Sequence, residues 1–253
     1  MQMHPRLHDR REGAMNYERT AVHRTILAVD VESYGDQRRT TPDRLALRDG
    51  LYGALPRAFD DAGIPWADCH GDDCGDGLFV LVPPEIPKCH FVEYLPTALA
   101  VALHRHNRTH AAEARMRLRM ALHAGEVVFD DHGVTGPAIN HTFRLLEAPP
   151  LKDALKASPG VLALITSTWF FDEVVRHCDG LDPKTFRPVP VTVKETNTTG
   201  WISRPDRPYP AVTGPPAPAP QPVPVTGLDD YRVWRWFRRH APVLTDREDA
   251  AWP

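Results

Sequence analysis

Thr25-Ile26-Leu27-Ala28-Val29-Asp30-Val31 is a short apolar run with one carboxylate near its end. Its length and its β-branched residues predict a buried strand rather than a helix. A carboxylate there is costly unless it is hydrogen-bonded, ion-paired or metal-bound. Asp30 therefore either caps the next turn or serves chemistry. Residues 70–77, HGDDCGDG, bear on the choice. They place Asp72, Asp73 and Asp76 among three glycines, just before a second apolar strand, Gly77-Leu78-Phe79-Val80-Leu81-Val82, which Pro83-Pro84 ends. A Gly-Asp turn is also an ordinary hairpin. Two strands that each present an aspartate beside a tight turn can form a hard-oxygen site for Mg²⁺ or Mn²⁺.

Outward from these strands, helix and strand signals alternate. Residues 41–63 have helical spacing, with Leu45, Leu47, Leu51, Leu55 and Phe59 as the expected buried set. Thr41 is the expected N-cap, Pro56 an expected kink and Gly63 the expected stop. Residues 90–109 read as a helix that Pro96 starts or kinks. Met116–Ala124 alternates as a strand, and 126–129 continues it across a turn. Asn140–Glu147 reads as a helix, Val161–Ile165 as a strand, Ser167–Val175 as a short helix and Phe186–Lys194 as a further strand. This order predicts an α/β or α+β architecture.

The 253 residues, 42% hydrophobic and 25% charged, allow one well-buried domain with appendages. A net charge of −3 argues against wholesale nucleic-acid binding. No apolar run approaches the roughly 20 residues that span a bilayer. The polar start has no signal-peptide core, and four cysteines are too few for a disulfide scaffold, so a cytoplasmic location is expected. Cys69, His70, Cys74, Cys89 and His90 do not have zinc-site spacing. The sequence divides into a flexible arm (1–22), a domain (23–204), a Pro-rich linker (205–226) and a basic-aromatic tail (227–253). The tail either packs on its own domain or offers a surface to a partner protein.

Asn140 and Arg144 stand four apart on one helix face, where an amide can orient a sugar and a guanidinium can grip phosphate. On their own they equally fit a surface pair, and Lys194 a solvated strand end. Five blocks in order, however, resemble those of class III nucleotidyl cyclases. Ala28-Val29-Asp30-Val31-Glu32-Ser33-Tyr34 is similar to the family's F-x-D-I-x-x-F, and Gly75-Asp76-Gly77 to its Gly-Asp hairpin. Leu122-His123-Ala124-Gly125-Glu126-Val127 resembles I-H-T-G-E-V. Gly136, Ile139, Asn140 and Arg144 match G-x-x-V-N-x-x-x-R, and Val193-Lys194-Glu195 resembles V-K-G.

The resemblance implies a ferredoxin-like, palm-type α/β domain with a central, mostly antiparallel sheet flanked by helices. It implies that Asp30 and Asp76, helped by the Val31 carbonyl, hold two divalent ions, Mg²⁺ or Mn²⁺. The amides of Val31, Glu32, Ser33 and Tyr34 would cradle phosphates. Asn140 would position the ribose, and Arg144 and Lys194 would neutralise charge on a nucleoside triphosphate as a 3′,5′-cyclic nucleotide forms. The two halves of such a site come from different protomers, so a homodimer is implied. The base-reading positions depart from the family: Asp72 stands where adenylate cyclases place a lysine, and the second position falls at Gly133. An acceptor at Asp72 suits a donor on the base. This favours a pyrimidine triphosphate, as in bacterial antiphage signalling, or a cyclase-like module that binds a nucleotide or partner without catalysis.

Overall fold

The computed structural model describes residues 20–209. Most of the N-terminal arm, most of the Pro-rich linker and the whole basic-aromatic tail lie outside the described residues. The central strand is β1 (Ala21–Val31). It starts two residues before the expected His23 and pairs antiparallel with β3 (Gly77–Val82) and β4 (Leu118–Asp130). Outside β3 runs β2 (His70–Asp73). On the other side, β4 pairs parallel with β6 (Leu162–Ser167), then β8 (Thr196–Ser203) and β7 (Arg187–Val193) follow, with short β5 (Gly133–Thr135) hairpinned onto β4. Only the β4–β6 contact is parallel, so the sheet is mostly antiparallel, as expected.

Alternation along β1 assigns the two faces. Leu27, Val29 and Val31 point to one core, which α1 (Thr41–Asp61), α2 (His90–Glu93), α3 (Leu95–Thr109) and α6 (Thr168–Glu173) cover with Leu47, Leu51, Phe59, Phe91, Leu99 and Phe170. Ile26 and Ala28 point to the other, covered by α4 (Pro137–Leu146) and α5 (Pro149–Lys156) through Ile139, Leu145, Leu151 and Leu155. Asp30 has the parity of Ile26 and Ala28, so it faces the α4 layer. Leu118, Met120 and Leu122 fall on one face, as their spacing predicts.

Several local expectations are corrected. Leu45 is 56% exposed and outside the core, because the buried stripe of α1 runs through Leu47, Leu51, Ala54, Leu55, Ala58 and Phe59. The N-cap is Thr40 rather than Thr41. The Asp43 carboxylate accepts from the Thr40 amide at 2.8 Å and from its hydroxyl at 2.6 Å, tying the first turn back on itself. Pro56 sits inside an unbroken α1. Gly63, with φ 71°, does stop it. The 90–109 helix is two helices, broken at Tyr94, with Pro96 in the first turn of the second, where a missing N–H costs nothing. No turn interrupts 118–130, which is one strand. Strand β8 and the short strands β2 and β5 carry no clear periodic signal, whereas α5 was missed although Leu151 and Leu155 stand four apart on its buried face.

Strand β7 lies at a sheet edge and carries Pro188 and Pro190 in its ladder. Past β8 the chain stays on the domain: Asp206 accepts the Val161 amide at 2.8 Å, and Arg204 lies 3.9 Å over the Tyr209 ring.

Gly77 makes the closest backbone approach in the sheet. A Cβ there would stand 1.9 Å from the Val29 carbonyl oxygen, in the rung that opposes Asp30. Gly77→Ala should therefore cost about 3 kcal/mol, the upper range for overpacking. Chemical denaturation of the variant beside the wild type measures it.

Candidate functional site

Two groups of the predicted residues assemble, at different ends of β1. The first is at its C-terminal end. Asp30 opposes Arg119 in the β1–β4 ladder, and the Arg119 guanidinium donates two hydrogen bonds of 2.7 Å to the two Asp30 oxygens. The side chains are 16% and 13% exposed, so this is a largely desolvated, bidentate pair. Burial pushes the Asp30 carboxyl up, Arg119 opposes that, and the nearby Asp76 adds to it. Asp76 is held in place by backbone: its carbonyl accepts the Val31 amide at 2.9 Å. Its neighbours have to be glycine, since Gly75 has φ 85° and Gly77 has no room for a Cβ. Arg48 of α1 clamps the same turn, donating to both Asp73 oxygens and to the Gly75 carbonyl, and it holds the Asp73 carboxyl below the usual range.

The donor set of Asp30, Asp76 and the Val31 carbonyl is all oxygen, which suits Mg²⁺ or Mn²⁺. Arg119 takes one lone pair on each Asp30 oxygen and leaves the others for a cation. Fewer amides of the turn are open than the resemblance implies for a phosphate cradle. The Val31 and Glu32 amides already bond to Asp76 and Arg117 carbonyls at 2.9 Å, and Tyr34 closes a turn to Val31 at 3.3 Å. Ser33, at φ 54°, and Gly35 keep amides that no carbonyl takes among the described residues. Glu32 ion-pairs with Arg117 at 2.9 Å, and Arg117 also donates to the carbonyls of Leu155, Ser158 and Gly160, so the turn after Asp30 is anchored from α5 and β4.

The second group gathers where α4 begins. Gly125 lets the helix sit down on β4, for a Cβ there would meet the Ala138 methyl at 2.7 Å. Gly125 opposes Arg24, six residues before Asp30, so the start of α4 lies about 20 Å from Asp30 along the strand. Asn140 is exposed and, with His123, Glu126, His141, Glu195 and Thr196, lines an open cavity of about 530 Å³. That volume is within the range of small-molecule sites.

Arg144 reaches Glu195 at 3.2 Å and Glu147 at 3.7 Å, and its Nε is buried with no partner among the described residues. Lys194 is the first residue of the two-residue β7–β8 turn, at φ 51°. A side chain is strained in that conformation. The structure thus brings Asn140, Arg144 and the Lys194–Glu195 turn together, and separately Asp30 with Asp76.

Asp72 and Gly133 belong to a third corner. The Asp72 carboxylate meets His70 at 3.2 Å, His70 packs edge-on against Phe129 at 5.4 Å, and Gly133 ends the hairpin in which Phe129 pairs with Val134. Both residues are exposed.

Sequence reasoning missed Arg119, Arg48 and the histidines of the cavity. Arg119 had a signal: a charged residue within the strand pattern MRLRMAL has to find a partner if it is buried. His123 accepts from or donates to the Ser167 hydroxyl at 2.8 Å and stands edge-on to His141 at 4.8 Å. Burial, then the neighbouring His141 and His23, push His123 down to about 4, so it is neutral near pH 7.

No protein-family model matches this sequence, and no curated protein matches it. Its structure does have counterparts. The crystal structure of the guanylyl cyclase Cya2 superposes with a TM-score of 0.51 at 15% identity, over 73% of this chain and 92% of that one. An adenylate/guanylate cyclase/hydrolase from Silicibacter pomeroyi gives 0.51 at 19%, over 72% and 96%. A bacterial light-regulated adenylyl cyclase gives 0.50 at 16%, over 77% of this chain and about half (54%) of that one. The chain therefore has the fold of adenylyl and guanylyl cyclase domains. Among the described residues, no helix is long and apolar enough to cross a membrane.

The depressed His123 predicts an acid-labile site. Its ordinary value is 6.5, so below that pH the unfolded chain binds a proton that the folded chain refuses until about 4. The His123 contribution is whole above pH 6.5 and fades as pH falls towards 4, by about 2 kcal/mol between pH 7 and 4.5. His123→Asn, which keeps an amide against Ser167, should flatten that part of the stability–pH curve. An unchanged slope in the variant would assign the acid lability elsewhere.

Proposed function

We propose that this chain is a nucleotidyl cyclase, converting a nucleoside triphosphate to a 3′,5′-cyclic nucleotide and pyrophosphate in a homodimer. One observation carries the reading: Asp30 and Asp76 lie at one end of β1, while α4, which carries Asn140 and Arg144 and reaches the Lys194–Glu195 turn through Arg144, begins about 20 Å away along the strand. Neither group is a site for this chemistry alone. A second copy, turned so that its α4 end faces the first copy's Asp30 end, completes both.

Asp30, Asp76 and the Val31 carbonyl would hold the divalent ions, which supply charge for the triphosphate and activation of the attacking hydroxyl. Asn140 would fix the ribose so that its 3′-oxygen faces the α-phosphorus. Arg144, whose Nε has no other partner, and Lys194 would meet the charge that develops as the bond to pyrophosphate breaks. The amides of Ser33 and Gly35 are the free donors for a phosphate oxygen. Asp72, already paired with His70, would accept from an amino or imino group on the base. Cytosine and uracil offer such a donor, as do the purines; it is the loss of the lysine that adenylate cyclases place at this position that leads us to put a pyrimidine triphosphate first, and with it a part in antiphage signalling in a bacterial cytoplasm.

A second reading has its own support. Both halves are neutralised from within, Asp30 by Arg119 and Arg144 by Glu195. A module that binds a nucleotide or partner without turning it over would tolerate such pairing permanently.

The purified chain incubated with ATP, GTP, CTP or UTP and Mn²⁺ should yield one cyclic monophosphate by mass spectrometry. Asp76→Ala is the proper control: Asp76 is exposed, whereas Asp30→Ala would strand the Arg119 charge. Product lost in Asp76→Ala supports the cyclase; triphosphate binding without product from any of the four supports the binding module. Lys194→Gly separates folding from catalysis. Glycine relieves the positive φ and should stabilise the fold by about 1 kcal/mol, while turnover drops at least tenfold. A variant both more stable and fully active would remove Lys194 from the mechanism.

A further inference from the structure

Away from these residues, three side chains that were not linked by sequence converge on the α1/α3 side of the sheet. Cys89 precedes α2, Glu93 ends it, and Cys178 follows the short turn after α6. Their two sulfurs and a carboxylate oxygen lie within 4.8 Å of one another. All three are at least partly buried, and both cysteines are free thiols. From this geometry we infer that Cys89, Glu93 and Cys178 form a binding site for one thiophilic divalent cation of the zinc class, with an open fourth position. It is separate from the Asp30–Asp76 group and does not depend on the cyclase reading.

Distance and ligand chemistry each support it. Donors around a tetrahedral ion at thiolate distances stand about 3.8 Å apart, so closing the trio requires rotamer shifts of under about 1 Å. Two sulfurs and one carboxylate select zinc over magnesium, which prefers all-oxygen sites. The Cys178 thiol donates to the Val174 carbonyl at 3.2 Å.

The carboxylate is also aimed. Gly180 lies so close that a Cβ there would stand 1.7 Å from Glu93 Oε1. Glycine at 180 is thus what leaves the Glu93 carboxylate its place beside the sulfurs. A bound ion would join the segment between β3 and α2 to the segment between α6 and β7, two stretches held otherwise by short turns.

Co²⁺ titration of the reduced full-length chain tests this, because cobalt bound to thiolate gives a charge-transfer band and tetrahedral visible bands. The expected result is one equivalent bound with thiolate bands, displaced by Zn²⁺. The bands should be lost in Cys89→Ser, kept in Cys69→Ser/Cys74→Ser, and weakened at least about tenfold in affinity in Gly180→Ala and Glu93→Gln. Cys89 is the cysteine to change because Cys178 is buried and its replacement risks the fold. No thiolate band in the reduced wild type, or a band that survives Cys89→Ser, overturns the site. So does a Cys89–Cys178 disulfide, found by peptide mapping, that forms equally fast with and without Zn²⁺.

Discussion

A carboxylate and a guanidinium face each other across the β1–β4 ladder, and the rest of the arrangement depends on that pairing. Asp30 and Arg119 project from the sheet face that Ile26, Ala28 and Ala121 otherwise fill with apolar surface. Either charge alone there would cost several kcal/mol, and breaking such a pair typically costs about 3–5 kcal/mol. Sliding β4 by one residue would turn Arg119 into the core of Leu27, Val29 and Phe59, so the pair also fixes the register. Register then sets everything downstream. It places Gly125 where α4 can seat, and hence Asn140 and Arg144.

The same economy recurs at the other end. Arg144 is largely buried and paired through one guanidinium nitrogen with Glu195, whose carboxyl is held low by its own backbone amide and then by Arg144. Glu195 is largely exposed, so this pair is weak and easily exchanged, whereas Asp30–Arg119 is not. The two halves are therefore unequal in readiness. An anionic ligand can compete for Arg144 simply by displacing an exposed carboxylate. At Asp30 a ligand has to share, using the lone pairs that Arg119 leaves.

Much of the fold could be read in the sequence because short-range physics wrote it there. The apolar runs of β1 and β3, the Gly63 stop and the alternation of Leu118, Met120 and Leu122 each follow from local rules, and each was found. Strand β8, reading TNTTGWIS, was not, because half of it faces solvent and its partners come from distant β6 and β7. Leu45 misled for the opposite reason: a leucine within a helical pattern says nothing about where the stripe is centred. At the site, Asp30, Asp76, Asn140, Arg144 and Lys194 were named from an ordered set of weak blocks, and the structure groups them two and three. The partners that modify them, Arg119 and Arg48, are long-range contacts. Glu195 was noticed only as a departure from glycine, and its role at Arg144 needed coordinates.

Strand β7 has a consequence for how copies of this chain can meet. Its outer rim has lost two amide donors to Pro188 and Pro190, so a strand from another molecule finds an interrupted ladder. At the opposite rim, β2 is four residues long and carries two aspartates, which repel a second β2 laid alongside. Among the described residues, both borders of the sheet thus resist being lengthened. Association is left to the broad surfaces, where contact can be made and undone without unzipping backbone, and the molecule is spared the runaway stacking that open sheet borders invite.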